Sequence, residues 1–274
     1  MFRTNKNRSK LSSIKFLILF SAFLISCVFL RVFNLSASEK FLSAVEQTDN
    51  SIDDVVTAGI VDNLPYLTCG ESDINEDSQH KEILLLHGAA FKKENWKESG
   101  ILESLCLLGT PKDEAGLTVT AVDLSTDSDD IGLNDAFEGL KRERILTGKP
   151  VVLVTPSASG KTALSLAHSY KSTEVQDRKH EYLEKIVKAW VPVASKGALD
   201  PQKADDLTVF KSSNIPVLAI NGDEDDGGKK VTELLVDLSG ARGVQLKGGH
   251  PCYLDSPDKF VETLLEFTNQ VYKS

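Results

Sequence analysis

Cysteine is scarce in this 274-residue chain: there are four, no two of them form a C-x-x-C pair, and Cys27 sits in an apolar N-terminal run. The remaining three, Cys69, Cys106 and Cys252, are too few for a disulfide framework. They read as buried small hydrophobes, with one bridge allowed if the body meets an oxidising compartment. Histidine is scarce as well, with five in all, and the sequence holds neither H-E-x-x-H nor a histidine pair at i, i+4. Without those spacings a metal site is not expected. Internal repeats are missing, which sets aside solenoids and propellers. Basic charge is short in the body: beyond residue 31 there are 25 basic against 40 acidic residues, a net charge of -15. Such a surface repels phosphates, so a nucleic-acid partner is excluded.

A long apolar run is lacking too. A membrane helix needs about 20 apolar residues, and the uncharged stretch from Phe16 to Leu30 has fifteen. Lys15 and Arg31 flank it and can snorkel, and residues 1 to 31 carry six basic residues and no acid. The expectation is therefore an anchor over residues 14 to 33 with the N-terminus in the cytosol, a single-pass type II membrane protein whose body is lumenal or extracellular. The rivals are secretion after cleavage near Ser36-Ala37-Ser38, or a cytoplasmic chain with neither. Residues 1–33 then form the basic segment and anchor, 34–51 a polar linker, and 52–274 the globular body.

What the body does contain is a series of short continuous apolar runs of the kind that form strands covered on both faces. Val55 to Val61 and Leu64 to Thr68 look like a leading antiparallel hairpin. Ile83 to Leu86, Val119 to Leu124, Val151 to Thr155, Val187 to Val193, Val217 to Asn221 and Gly243 to Leu246 follow. Helices are expected near Glu94 to Leu108, Leu133 to Leu146, Lys161 to Tyr170 and Lys229 to Leu238, and a last one capped by Ser256. Alternating strands and helices predict an α/β fold with a mostly parallel central sheet and helices on both faces. Only 68 positions separate Ser157 from Asp225, and sheet elements use most of them, so no separate cap domain is expected.

The run Val151 to Thr162, VVLVTPSASGKT, admits two active sites. A phosphate loop requires G-x-x-x-x-G-K-[ST]; Gly160, Lys161 and Thr162 supply the end, but Thr155 stands where the first glycine belongs. A nucleophile elbow requires small-x-Ser-x-small at a strand-to-helix turn, which Thr155, Pro156, Ser157, Ala158 and Ser159 satisfy. A serine nucleophile needs an imidazole base. His80, His168 and His180 read as surface residues, whereas His250 follows the last strand in a Gly-Gly-His-Pro loop. The base needs an orienting carboxylate, and the acidic turn after Val217 to Asn221 offers Asp225, with Asp223 as the alternative. Ser157, Asp225 and His250 stand in the chain order of the α/β-hydrolase triad. Upstream, Leu85-Leu86-His87-Gly88-Ala89 ends a strand, so the backbone amides of Ala89 and Ala158 are the candidates for holding an oxyanion, with His87 shaping the loop.

Together these residues resemble the α/β-hydrolase superfamily, and one branch closely, the α/β-hydrolase domain-containing protein 14 family. The specific part is Gly249-His250-Pro251-Cys252-Tyr253-Leu254-Asp255, supported by the elbow, the L-L-L-H-G strand, the Phe91 to Trp96 segment and the G-D-x-D turn. The likeness covers roughly residues 52 to 272, so 52–274 is expected to be an α/β-hydrolase domain. It implies Ser157 as nucleophile, Asp225 as orienter and His250 as base, and residues 1 to 33 resemble the branch with an N-terminal anchor. Lys161 behind the elbow and Asp226, where that family tends to proline, depart from the pattern. The implied activity is that of a serine hydrolase or acyltransferase on small acyl esters, thioesters or acyl-amides, acetyl groups among them. No resident cofactor or metal is implied, and coenzyme A enters only as an acyl acceptor. The competing readings are a catalytically silent, membrane-tethered scaffold for protein interaction and a P-loop nucleotide binder.

Overall fold

A computed structural model describes residues 56–70, 80–109, 116–171, 182–200 and 204–273. Strands β1 (Thr57–Val61) and β2 (Leu64–Cys69) form an antiparallel hairpin. Asp62 and Asn63 turn it with φ of 49° and 64°, the left-handed pair that matches the twist of a two-residue hairpin. The remaining strands are β3 (Lys81–Leu85), β4 (Leu117–Val122), β5 (Val151–Pro156), β6 (Val187–Val193), β7 (Leu218–Gly222) and β8 (Arg242–Leu246). They make one eight-stranded sheet in the order β1-β2-β4-β3-β5-β6-β7-β8. Pairing is antiparallel at β1–β2 and β2–β4 and parallel from β4 onward.

Every residue of β3, β4, β5 and β7 is buried. That is why their centres read as short apolar runs without alternation, although Lys81, Glu82, Thr118, Thr120 and Asn221 are buried among them. Alternate side chains feed two cores: Leu84 and Leu153 pack with helices α3 (Asp130–Arg142), α4 (Gly160–Lys171), α6 (Ala204–Ser212) and α7 (Asp226–Ser239). Ile83, Leu85, Val152 and Val154 pack with α1 (Glu94–Glu98), α2 (Ile101–Gly109), α8 (Cys252–Asp255) and α9 (Pro257–Lys273) on the other face. The short α5 (Tyr182–Ile186) runs straight into β6.

The structure changes several expectations. The helix expected over Glu94 to Leu108 is two helices, because Gly100 takes φ +72° between α1 and α2 and turns the chain. Helix α6 was not anticipated: it is short, and only Leu207, Val209 and Phe210 among its apolar residues reach the core. With the 3-10 turn Lys196–Leu199 it connects β6 to β7 and packs on α4 and α7, so this connection forms part of the helical layer rather than a separate cap. His80 is not a surface residue; it is 4% exposed and pairs with Thr118 Oγ1 at 2.8 Å. Cys69 and Cys106 form a disulfide, Cα–Cα 6.1 Å, tying β2 to α2, and Cys252 is free and buried.

The localisation expected from the sequence also needs correction. Among the described residues no helix is long and apolar enough to cross a membrane. The segment 14–33 proposed as an anchor and the linker 34–51 lie outside the described residues. No described helix supports the expected assignment as a single-pass type II membrane protein, and it is not carried further.

Candidate active site

The sheet delivers the site at its carboxyl edge, where parallel strands end and loops begin. Strand β5 finishes at Pro156, whose extended backbone feeds a 3-10 turn over Ser157–Ser159 and then α4. Ser157 takes φ 51°, a conformation that costs a non-glycine residue about 1–3 kcal/mol and persists only where surroundings over-determine it. Those surroundings are visible. Ser159 Oγ donates to the Pro156 carbonyl at 2.9 Å, Ser195 Oγ to the Thr155 carbonyl at 2.8 Å, and Trp190 Nε1 to Thr155 Oγ1 at 2.8 Å. Gly160 is obligatory for this approach, because a Cβ there would stand 2.5 Å from that of Ser195. The same packing argues against a phosphate loop, since the segment is closed on itself and Lys161 points out to Asp127 at 3.3 Å.

The histidine loop follows β8. Gly248 takes φ +120°, and two carboxylates hold the loop by its amides: Asp223 Oδ1 accepts from Gly248 N at 2.7 Å and Asp255 Oδ2 from Gly249 N at 2.8 Å. Gly222 completes the seat, because a Cβ there would overlap the carbonyls of Gly248 and Gly249. His250 is thereby presented with Nε2 2.8 Å from Ser157 Oγ and Nδ1 2.6 Å from Asp225 Oδ2. Asp225, not Asp223, faces the imidazole. Because a carboxylate only accepts, Nδ1 carries the proton in that pair and Nε2 is left to accept from the Ser157 hydroxyl.

Asp225 is 8% exposed. Burial works to raise its carboxyl, but the hydrogen bond from His250, the Gly228 amide and the charges of His250 and Lys196 outweigh it and leave it below the ordinary value of 3.8. The site therefore keeps a buried anion at neutral pH, held by directed donors. Cys252, two residues beyond His250, is fully buried, and its thiol is pushed up to about 12 by burial first and by the Asp255 and Asp225 charges. It remains a thiol and packs beside the loop.

Ala158 is the second residue of the turn, and the first amides of a helical run lack intrahelical acceptors. Ala89 follows Gly88, where a Cβ would lie 3.5 Å from Ser157 Cβ. The structure thus brings the loop that carries Ala89 close to Ser157, whose chain neighbour is Ala158. A small pocket of about 10 Å³ opens over the serine, lined by Gly88, Phe91, Pro156, Val193, Pro251 and Tyr253 with Ser157 and His250. Tyr253 is backed by Trp96, ring centroids 4.7 Å apart, and Trp96 Nε1 donates to the Leu86 carbonyl at 3.1 Å. Sequence reasoning missed Asp223 and Asp255 as holders of the loop; neither acid adjoins the Gly-Gly pair in the sequence, so no local signal assigns them that role. Among the described residues no cluster of His, Cys, Asp or Glu is arranged to hold a metal ion.

A mostly parallel sheet with this elbow is an α/β-hydrolase fold, and solved structures share it. A CIB-like hydrolase from Thermoplasma acidophilum superposes with TM-score 0.54 at 16% identity, covering 78% of this chain and 98% of that one. MGS-MChE2, an α/β-hydrolase from a lagoon-sediment metagenome, does so with TM-score 0.54 at 17% identity, with the same coverage of both. No family model matches the sequence. Two curated relatives narrow the class. ABHD14B of Pongo abelii, named a protein-lysine deacylase, is 30% identical over 201 residues, 69% of this chain and 83% of the relative. Protein ABHD14A of Danio rerio is 28% identical over 201 residues, 69% of this chain and 65% of the relative. The chain belongs to the ABHD14 family of α/β-hydrolases.

Proposed function

We propose that the chain is a serine hydrolase that removes small acyl groups through Ser157, His250 and Asp225. The observation that carries this is the continuous relay of 2.8 Å and 2.6 Å from Ser157 Oγ through His250 to Asp225, at a serine held in a strained turn beneath a pocket. His250 Nε2 takes the hydroxyl proton as Ser157 Oγ adds to the acyl carbon, and Asp225 holds the imidazole in the competent tautomer and balances the imidazolium. The amides of Ala89 and Ala158 receive the negative charge that develops on the carbonyl oxygen. The imidazolium then returns its proton to the departing group. Water, or a thiol such as that of coenzyme A, removes the acyl group from Ser157.

Pocket size favours short acyl groups. A volume of about 10 Å³ has room for about one water-sized group, and its walls of Phe91, Val193, Pro251 and Tyr253 are apolar or aromatic. Esters, thioesters and acyl-amides with acetyl-sized acyl parts fit this description, and the name of ABHD14B, a protein-lysine deacylase, is consistent with it. A fluorophosphonate probe tests the reading: the wild type is expected to be labelled and Ser157→Ala to be spared. Equal labelling of both would sink the assignment.

A further inference from the structure

We propose that His87 is a positioning residue for the oxyanion site: it fixes the Gly88–Ala89 peptide so that the Ala89 amide faces the oxygen of an acyl group on Ser157. The inference rests on the serine-hydrolase reading and adds a residue that acts through the backbone rather than on substrate. The Gly88 carbonyl accepts twice, from His87 Nδ1 at 2.9 Å and from the Phe91 amide at 3.0 Å. In a planar trans peptide the C=O and the following N–H point in opposite directions. Two donors on the Gly88 oxygen therefore dictate the direction of the Ala89 N–H, which neither donor touches. Gly88 itself leaves no side chain in the way, since even a Cβ there would meet Ser157 Cβ and the Phe91 ring only at ordinary contact distance, 3.5 Å.

His87 is itself largely shielded from solvent. Its side chain is 13% exposed, and Nε2 lies 3.8 Å from Asp123 Oδ1. The same carboxylate, just beyond β4, accepts from the Lys93 backbone amide at 2.7 Å and from Lys93 Nζ at 3.0 Å. Lys93 also pairs with Glu94. One aspartate thus secures Lys93 at the far end of loop 87–93 and stands beside His87 at its near end. Because the Gly88 oxygen can only accept, the His87 proton resides on Nδ1. A donor aligned before charge develops costs no reorganisation during the reaction. A loop free to rotate that peptide would lose this benefit without losing the fold.

The test uses the full chain and two substrates, an aryl acetate and its thiono analogue, in which sulfur replaces the carbonyl oxygen. His87→Ala is expected to lower kcat on the oxygen ester about tenfold to a hundredfold with KM little changed, less than deleting a donor outright. It should lower the preference for oxygen over sulfur by a similar factor, because sulfur is a poor acceptor for an aligned amide. His87→Asn, whose side-chain NH2 sits where Nδ1–H does, should recover most of both losses, whereas His87→Gln should not. Wild-type kcat and oxygen preference in His87→Ala would overturn the proposal, and if that variant fails to fold, equal behaviour of the folded Asn and Gln variants would do so. Turnover that survives Ser157→Ala refutes the underlying serine reading instead, so the two failures are separable.

Discussion

Gly228→Ala separates catalysis from stability at one atom. Gly228 lies in the first turn of α7, where an added Cβ would stand 2.6 Å from Asp225 Oδ2, the oxygen that meets His250 at 2.6 Å. Ordinary contact begins near 3.4 Å, so the carboxylate must give way by about 0.8 Å, the difference between these two separations, and rotation about its own side chain can supply that. If the oxygen moves directly away from the imidazole, the hydrogen bond stretches to about 3.4 Å, beyond the range of a charge-assisted bond. Such bonds contribute about 1.5–3 kcal/mol, so kcat/KM on an aryl acetate should fall about tenfold to a hundredfold. The fold should suffer less than activity: alanine in a helix is favoured over glycine by about 0.8–1 kcal/mol, which offsets part of the lost hydrogen bond and of the crowding against Asn221. The measurement is kcat/KM beside the midpoint of thermal unfolding. A Gly228→Ala variant with wild-type kcat/KM refutes the claim that Asp225 Oδ2 orients His250. A variant that loses activity and stability in parallel refutes the claim that the effect is local.

Two further outcomes are expected. The Asp225 carboxyl is lower in the folded chain than its ordinary value of 3.8, so its stabilising contribution is complete above about pH 4 and is lost as the pH falls through the lowered folded value. Urea unfolding of wild type and Asp225→Asn across that range should show a gap that closes in acid; a constant gap would contradict the charge argument. Reducing the Cys69–Cys106 bridge, which spans 37 positions, should cost about 4 kcal/mol by loop-closure entropy. A melting temperature identical with and without a thiol reductant would rule out that contribution.

Much of the fold is legible in the sequence because most parallel strands here are covered on both faces and write themselves as apolar runs. Val187–Val193 and the core of Val151–Pro156 are read within a residue. Misreadings fall where a single residue overrides a pattern. Leu102, Leu105 and Trp96 continue one apolar stripe across Gly100, so periodicity joins two helices that the +72° φ separates. His80 looks solvated beside a polar stretch, yet Thr118 on the neighbouring strand takes its ring nitrogen inside. Cys69 and Cys106 carry no spacing signal, since a bridge between a strand and a helix depends on how they pack.

Residue order determines the chemistry that can be present: a serine between small residues after a buried strand, and an acid and a histidine after later strands, all delivered to one sheet edge by parallel topology. Covalent order alone decides that much, because parallel strands put their carboxyl ends together. Which carboxylate meets the imidazole was settled only by tertiary structure. Asp223 and Asp225 lie two residues apart in one acidic turn. The start of α7 and the loop seat at Gly222 send one to Gly248 and the other to His250. The choice between phosphate loop and serine elbow was likewise made by packing, because Ser195 occupies the space beside Gly160 and leaves Ser157, not Lys161, facing the pocket.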